Sequence, residues 1–187
     1  MSPQTVFFII LVILTADFVS ERILSALNVK SSKKPIPDLL SGIYDQDKYQ
    51  KQQSYFRANT RFGLLTSTVS FLVIILMIVF GGFGWLDGIV QRWTANPILV
   101  SLIFFGILFL ANDIISTPFE IYDTFVIEER FGFNKTTPKT FIFDKLKGYV
   151  LAAILGGGIL ALIMWLYRLN PQYFWLIAWA CVTAVSL

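Results

Sequence analysis

Residues 117–147 read TPFEIYDTFVIEERFGFNKTTPKTFIFDKLK, and the rest of the chain is organised around them. The stretch holds five basic and five acidic residues, and long apolar segments flank it on both sides. It is too polar to cross a bilayer and too patterned to be a slack linker. Thr117-Pro118-Phe119-Glu120 has the form of a capping box, with proline at the first helical position. This predicts a helix that starts at Thr117. Phe119, Tyr122, Phe125 and Val126 recur at helical spacing and give that helix one apolar face. Gly132 predicts a break after Arg130 and Phe131. At Thr137-Pro138 threonine can cap and proline can begin, which predicts a second helix start. The expectation is helix, turn and helix, lying at a membrane surface and feeding straight into the next apolar segment.

The chain has 187 residues, 56% of them hydrophobic and 14% charged, with mean hydropathy +0.67. A soluble domain has a charged share nearer ~25%. The apolar residues also fall in runs close to the ~20 residues that a spanning helix needs. The expected fold is therefore all-α and polytopic: about five transmembrane helices, the fifth truncated, plus a cytoplasmic helix-turn-helix insertion. The spans are placed near residues 6–27, 62–83, 97–115, 149–167 and 173–187. A net charge of +3 and a pI near 9.0 report topology in such a chain, so nucleic acid is not an expected partner. The single cysteine, Cys181, excludes an intrachain disulfide and a multi-cysteine metal site.

In chain order, a signal peptide is disfavoured at the start, because residues 1–5 carry no Lys or Arg and no clear cleavage site follows the apolar run. Asp17 and Glu21 are four apart in the first span and share a face. They fit a wet bundle interior or, more simply, acids near a helix end beside Arg22. Pro35 and Pro37 break the basic stretch that follows, and nothing breaks a helix from about Asp45 until Gly63. The second span is thus expected to begin as a long helix projecting from the membrane. Its basic cluster is read as topogenic rather than as a lipid-headgroup site. Gly81-Gly82-Phe83-Gly84 is expected to end the second span, and Trp85 and Trp93 to bracket a short interfacial loop. Asn112 and Asp113 fall near the far end of the third span. In the fourth, Gly148, Ala152 and Gly156 form one small-residue ladder and Ala153, Gly157 and Ala161 another, the pattern that lets helix backbones approach. The fifth span stops after 15 residues, which is expected of a chain cut inside a helix.

Chemistry is scarce. There is no histidine, hence no HExxH, and no nucleophile sits in a recognisable elbow. Glu128 and Glu129 are adjacent, so on a helix they point about 100° apart and cannot share a proton.

Residues 122–134, YDTFVIEERFGFN, followed by Lys135, Thr136, Phe141, Asp144 and Lys147, resemble the signature of the integral-membrane CAAX prenyl proteases. The likeness is to the region that precedes their zinc-protease part, and it covers essentially the whole chain. It implies a zinc metalloendopeptidase that cleaves after a prenylated cysteine near a protein C-terminus. Zinc is expected in a longer parent and no cofactor in this chain, which alone is expected to be inactive. The resemblance also implies a hydrated chamber within the membrane, with Asp17, Asn112 and Asp113 as candidate lining groups. Glu128, Glu129, Arg130, Gly132, Asn134 and Lys135 are candidates for a docking loop, or for residues that only fix the turn. The expected partners are the lipid bilayer, the C-terminal protease part, and prenylated or membrane-protein C-termini as substrates. The isolated piece is also expected to self-associate through uncovered apolar surface. A non-catalytic membrane scaffold, or half of a transporter, is the competing function, ranked second because no internal repeat relates the spans.

The two long loops, 28–61 and 116–148, carry seven and five Lys/Arg, against Arg92 and Arg168 alone in the other two. The positive-inside rule puts both long loops in the cytoplasm and the N-terminus outside. A bacterial inner membrane is preferred to an endoplasmic reticulum membrane. A cysteine introduced at position 31 is expected to stay unlabelled by reagent applied to the outside of intact cells; labelling there would overturn the topology.

Overall fold

The computed structural model describes residues 2–33 and 45–186. Lys34, Pro35, Pro37 and Asp38 of the basic loop, Leu187 and the side chain of Cys181 lie outside the described residues. The chain forms two compact units, one of Met1–Phe80 with Ser116–Asn134 and the other of Gly81–Ile115 with Lys135–Leu187.

The first unit is built on a pair of long helices. Helix α1 (Pro3–Ser31) starts where Ser2 accepts from the Thr5 amide at 3.1 Å, with proline in the first turn. Helix α2 (Gln46–Val79) starts at Asp45, whose Oδ1 accepts from the amides of Asp47 and Lys48. Its 34 residues rise about 50 Å, well beyond the ~30 Å of a hydrocarbon core, so the long helix expected from about Asp45 is present. The two helices run antiparallel and meet at three rungs. The Phe18 and Phe71 rings stack with centroids 4.0 Å apart. Arg22 donates to the Leu64 carbonyl at 2.9 Å and to Ser67 Oγ at 2.7 Å. Arg57 donates to the Ser32 carbonyl at 3.2 Å.

Helix α4 (Pro97–Tyr122) begins in the second unit and ends in the first, where it passes into a π-helical stretch, Asp123–Glu128, and a last turn, α5 (Glu129–Phe131). The expected helix start at Thr117 is not there: Pro118 lies inside a continuous helix. Proline removes one backbone donor and crowds the preceding turn. It does not stop a helix whose neighbouring turns are intact and whose alternative is exposed carbonyls in an apolar setting. The break at Gly132 is as expected. Its φ of 75° is left-handed, the Gly132 amide donates to the Glu129 carbonyl at 3.0 Å, and the Phe133 amide donates to that of Glu128 at 2.9 Å. This pair of bonds is a Schellman closure, which satisfies carbonyls the helix end would leave open.

In the second unit, Gly81 (φ 66°) turns the chain into α3 (Gly82–Trp93). The expected loop between Trp85 and Trp93 is thus an amphipathic helix. Its apolar face buries Leu86 and Val90, while both tryptophans stay exposed. Leu86 and Val90 are four apart, and that spacing outweighs the glycines in deciding the conformation. Helix α6 (Pro138–Leu151) starts as predicted, with Thr137 Oγ1 accepting from the Thr140 amide at 3.2 Å. It continues through a π-helical stretch, Ala152–Gly156, into α7 (Gly157–Leu169). Asn170 Oδ1 accepts from the amides of Gln172 and Tyr173 and turns the chain into α8 (Phe174–Ser186). Among the described residues, three helical runs are long and apolar enough to cross a membrane: Gln46–Val79, Pro97–Phe131 and Pro138–Leu169.

Replacing Gly132 by alanine forces a side chain into the left-handed region, at a cost of about 1–2 kcal/mol. A lowered melting temperature in detergent is therefore expected for Gly132→Ala. Gly148→Ala, in a helix with open space around the new Cβ, should melt no lower than the parent protein. Equal effects of the two changes would remove the special role of Gly132.

Candidate functional site

Two arrangements involve the residues singled out above, one in each unit. In the first unit, the turn at Gly132 is locked onto the projecting part of α2. Phe131 and Phe133, on either side of the glycine, set their rings against Tyr55 with centroids 5.4 and 4.7 Å away. Lys51 lies one helical turn before Tyr55 and places Nζ 5.8 Å from the Phe133 centroid. Above them, Phe62 meets Tyr122 at 5.0 Å and Phe119 at 6.2 Å. Ile127 is buried. Asn134 Nδ2 donates to Glu129 Oε2 at 2.9 Å, closing the turn through a side chain rather than through local backbone alone. Arg130 is exposed and leans over the Phe131 ring, 5.9 Å from its centroid. Lys135 is exposed, while Glu128 is half-buried and contributes its carbonyl to the closure. The run FGFN is thus mechanical in its chemistry: glycine for φ, two phenylalanines for Tyr55, asparagine for Glu129. One polar atom is left over, since Asp123 Oδ1 is buried with no hydrogen-bond donor among the described residues.

In the second unit, Asp113 on α4 is held by two groups of α6. Lys145 Nζ lies 2.7 Å from Oδ1 and Tyr149 Oη 2.6 Å from Oδ2. Lys145 and Tyr149 are four apart and so share a face. The ion pair is largely sheltered, its side chains 16% and 18% exposed. The Tyr149 ring also meets Phe109 edge-on at 6.2 Å and borders an apolar groove of about 550 Å³. Leu102, Phe105 and Phe109 line one wall, and Ala153 and Gly157 the other. The two small-residue ladders therefore open a groove over much of their length. At Gly157 a Cβ would sit 3.8 Å from Leu102, an ordinary van der Waals contact, so even there the backbones are not closely packed.

Asp17 and Asn112 are exposed on their helices. Sequence reasoning missed Lys145, Tyr149 and Tyr55. The available signal was the four-residue spacing of Lys145 and Tyr149 on a helix entering a span, which leaves a cation and a hydroxyl seeking one acid. Among the described residues no three His, Cys, Asp or Glu groups come together.

A helical membrane protein, with a turn closed at Gly132 and an acid clamped between two helices at Asp113, is the class that the fold defines. Within it, the model of the CAAX prenyl protease N-terminal region, with five membrane helices, matches residues 25–187, and the chain belongs to that family. It is 31% identical to the CAAX prenyl protease 1 homolog of Arabidopsis thaliana over 96% of this chain and 43% of that protein. It is 32% identical to the probable CAAX prenyl protease 1 of Schizosaccharomyces pombe over 83% of this chain and 35% of that one. The crystal structure of S. mikatae Ste24p superposes on all of this chain and 44% of its own, with a TM-score of 0.88 and 25% identity. The chain thus spans less than half the length of the relatives it matches. A chain without histidine, whose acids do not gather in threes among the described residues, does not fit a zinc site of its own.

If the Asp113 clamp carries coupling, removing Lys145 alone strands a sheltered carboxylate. Lys145→Met is expected to lower the melting temperature more than the double variant with Asp113→Asn does. A coupling of about 1–2 kcal/mol is expected from a double-mutant cycle, and purely additive losses would show that the pair is incidental.

Proposed function

We propose that this chain is the membrane part of a zinc metalloendopeptidase of the CAAX prenyl protease type. It supplies chamber wall and a docking surface, while a downstream HExxH part holds the metal and runs the hydrolysis. The observation that carries this is the superposition of the whole chain on less than half of Ste24p, in a sequence that has no histidine. A family member that matches from end to end yet brings no histidine cannot itself supply an HExxH motif, so that motif would come from other residues. When bound in that downstream part, zinc would supply an activated water and polarise the scissile carbonyl.

On this proposal the residues of the chain divide their work. The closure at Gly132, the Tyr55 cradle and the Asn134–Glu129 bond make a rigid cytoplasmic knob, suited to receive the protease part. Arg130 and Lys135 give it exposed positive charge. Asp17 and Asn112, exposed on their helices, are the lining groups that a hydrated chamber would wet. Asp113 joins them as a neutralised wall element, because an ion pair with a hydroxyl on its second oxygen tolerates low dielectric better than a bare carboxylate. The substrates proposed are prenylated or membrane-protein C-termini. Both basic loops face the cytoplasm, whether the membrane is a bacterial inner membrane or that of the endoplasmic reticulum.

Zinc content and peptidase activity should be compared between this chain and the full-length protein. The expected result is about one zinc per full-length chain, with activity that chelation abolishes, and neither metal nor activity in residues 1–187 alone. Metal-dependent hydrolysis by this chain on its own would end the proposal.

A further inference from the structure

The antiparallel pair α1–α2 contains a second cavity that nothing above uses. It is a notch of about 300 Å³, lined by Glu21, Arg22, Ser25 and Asn28 of α1 and by Thr60, Gly63 and Ser67 of α2. Its place along the helices is set by sequence. The apolar run of α1 ends near Phe18, and that of α2 begins after Arg61. The three rungs align these ends, so the notch lies where both helices change from apolar to more polar sequence, the pattern expected where a span nears the headgroups. Arg22 is already anchored on Leu64 and Ser67 and lies over the Phe18 ring at 4.3 Å, which fixes its charge at the notch wall. Among the described residues, no hydrogen bond engages the side chains of Glu21, Ser25, Asn28 or Thr60. The pocket sets one anion, one fixed cation and several hydroxyl and amide groups around one space, a set that matches a polar occupant carrying both charges.

Its charge balance selects the occupant. Glu21 and Arg22 cancel, so a net anionic headgroup gains little there, and a headgroup bearing both signs gains twice. We infer that the notch is a binding site for a zwitterionic, amine-bearing phospholipid headgroup of the phosphoethanolamine class. The ammonium donates to the Glu21 carboxylate. The phosphate accepts from Asn28 and the hydroxyls of Ser25 and Thr60, beside the Arg22 guanidinium. A quaternary choline group has no N–H to donate to Glu21, so it binds less well. Gly63 is the opening in the α2 wall: a Cβ there meets nothing within 4 Å, so a large side chain enters the notch without clashing at its base.

The test uses full-length protein in detergent, melted with dioleoyl phosphatidylethanolamine, phosphatidylcholine or phosphatidylglycerol added. The ethanolamine lipid is expected to raise the melting temperature by about 4 °C more than the other two, as binding to the folded state requires. Native mass spectrometry should show one retained ethanolamine lipid per chain. Glu21→Gln removes the ammonium acceptor and Gly63→Leu fills the notch from the opposite helix. Each is expected to abolish the preference. Where Glu21→Gln lowers the lipid-free melting temperature, Gly63→Leu decides, because it leaves every polar group in place. Equal shifts with all three lipids, or a preference that survives Gly63→Leu, would overturn the inference. So would a larger shift with the glycerol lipid, which would assign binding to the basic residues outside the notch.

Discussion

Lipid offers no hydrogen bonds, so a chain that crosses it must close its own backbone. That constraint explains most local features of this fold. Hydroxyl side chains within the helices turn back onto their own carbonyls: Ser20 to Ala16, Thr68 to Leu64, Ser101 to Pro97 and Thr183 to Trp179. The carbonyls at the end of α5 are taken up by the amides of Gly132 and Phe133. Even the departures stay helical. Pro118 costs one bond without ending α4, and both irregular stretches are π-helical, so their amides remain paired while the side-chain register shifts.

Helix pairs in such a setting cannot rely on exclusion of water, and the two units answer that in different ways. Along α1 and α2 the contacts are polar or aromatic rungs spaced down the pair, and each admits one register. The Arg22 guanidinium reaches a backbone carbonyl and a serine hydroxyl, and with the Phe18–Phe71 stack it holds the pair in this alignment. In the second unit the polar contact is concentrated in the Asp113 clamp, and beyond it the walls diverge around an apolar groove. A clamp at one end with small residues beyond it gives a pair that is specified at a point rather than along its length.

How much of this was legible depends on the range of the interaction. Span composition, the cap at Thr137, the break at Gly132 and the projecting start of α2 are set by neighbours within a turn or two, and each was readable. The capping box at Thr117 misled for the same reason. Its four residues have the right identities, but whether a helix starts there depends on whether the preceding one stops, and the apolar turns before it give no cause to stop. The glycines around Trp85 to Trp93 suggest a loop, whereas the burial of Leu86 and Val90 that makes it a helix needs a partner that local sequence does not reveal. The partners of Asp113 stand 32 and 36 positions away. The cradle of Tyr55 under FGFN joins segments more than seventy positions apart. Resemblance identified that run as specific, and the geometry supplies the reason: it is a turn closed by two carbonyls and seated on one tyrosine.

The same geometry limits what these residues can do in a reaction. A general base needs a lone pair free to take a proton, and a metal ligand needs one free to donate. Asp113 already spends one oxygen on an ammonium and the other on a phenol, and Glu129 holds Asn134. These acids are spent on shape. Asp17 and Glu21, both exposed, share one face of α1, with no third acid or histidine among the described residues beside them to complete a metal site. A peptidase assembled on this frame would thus take rigidity and charge placement from these residues, and would need its nucleophilic water from a part of the protein with different side chains.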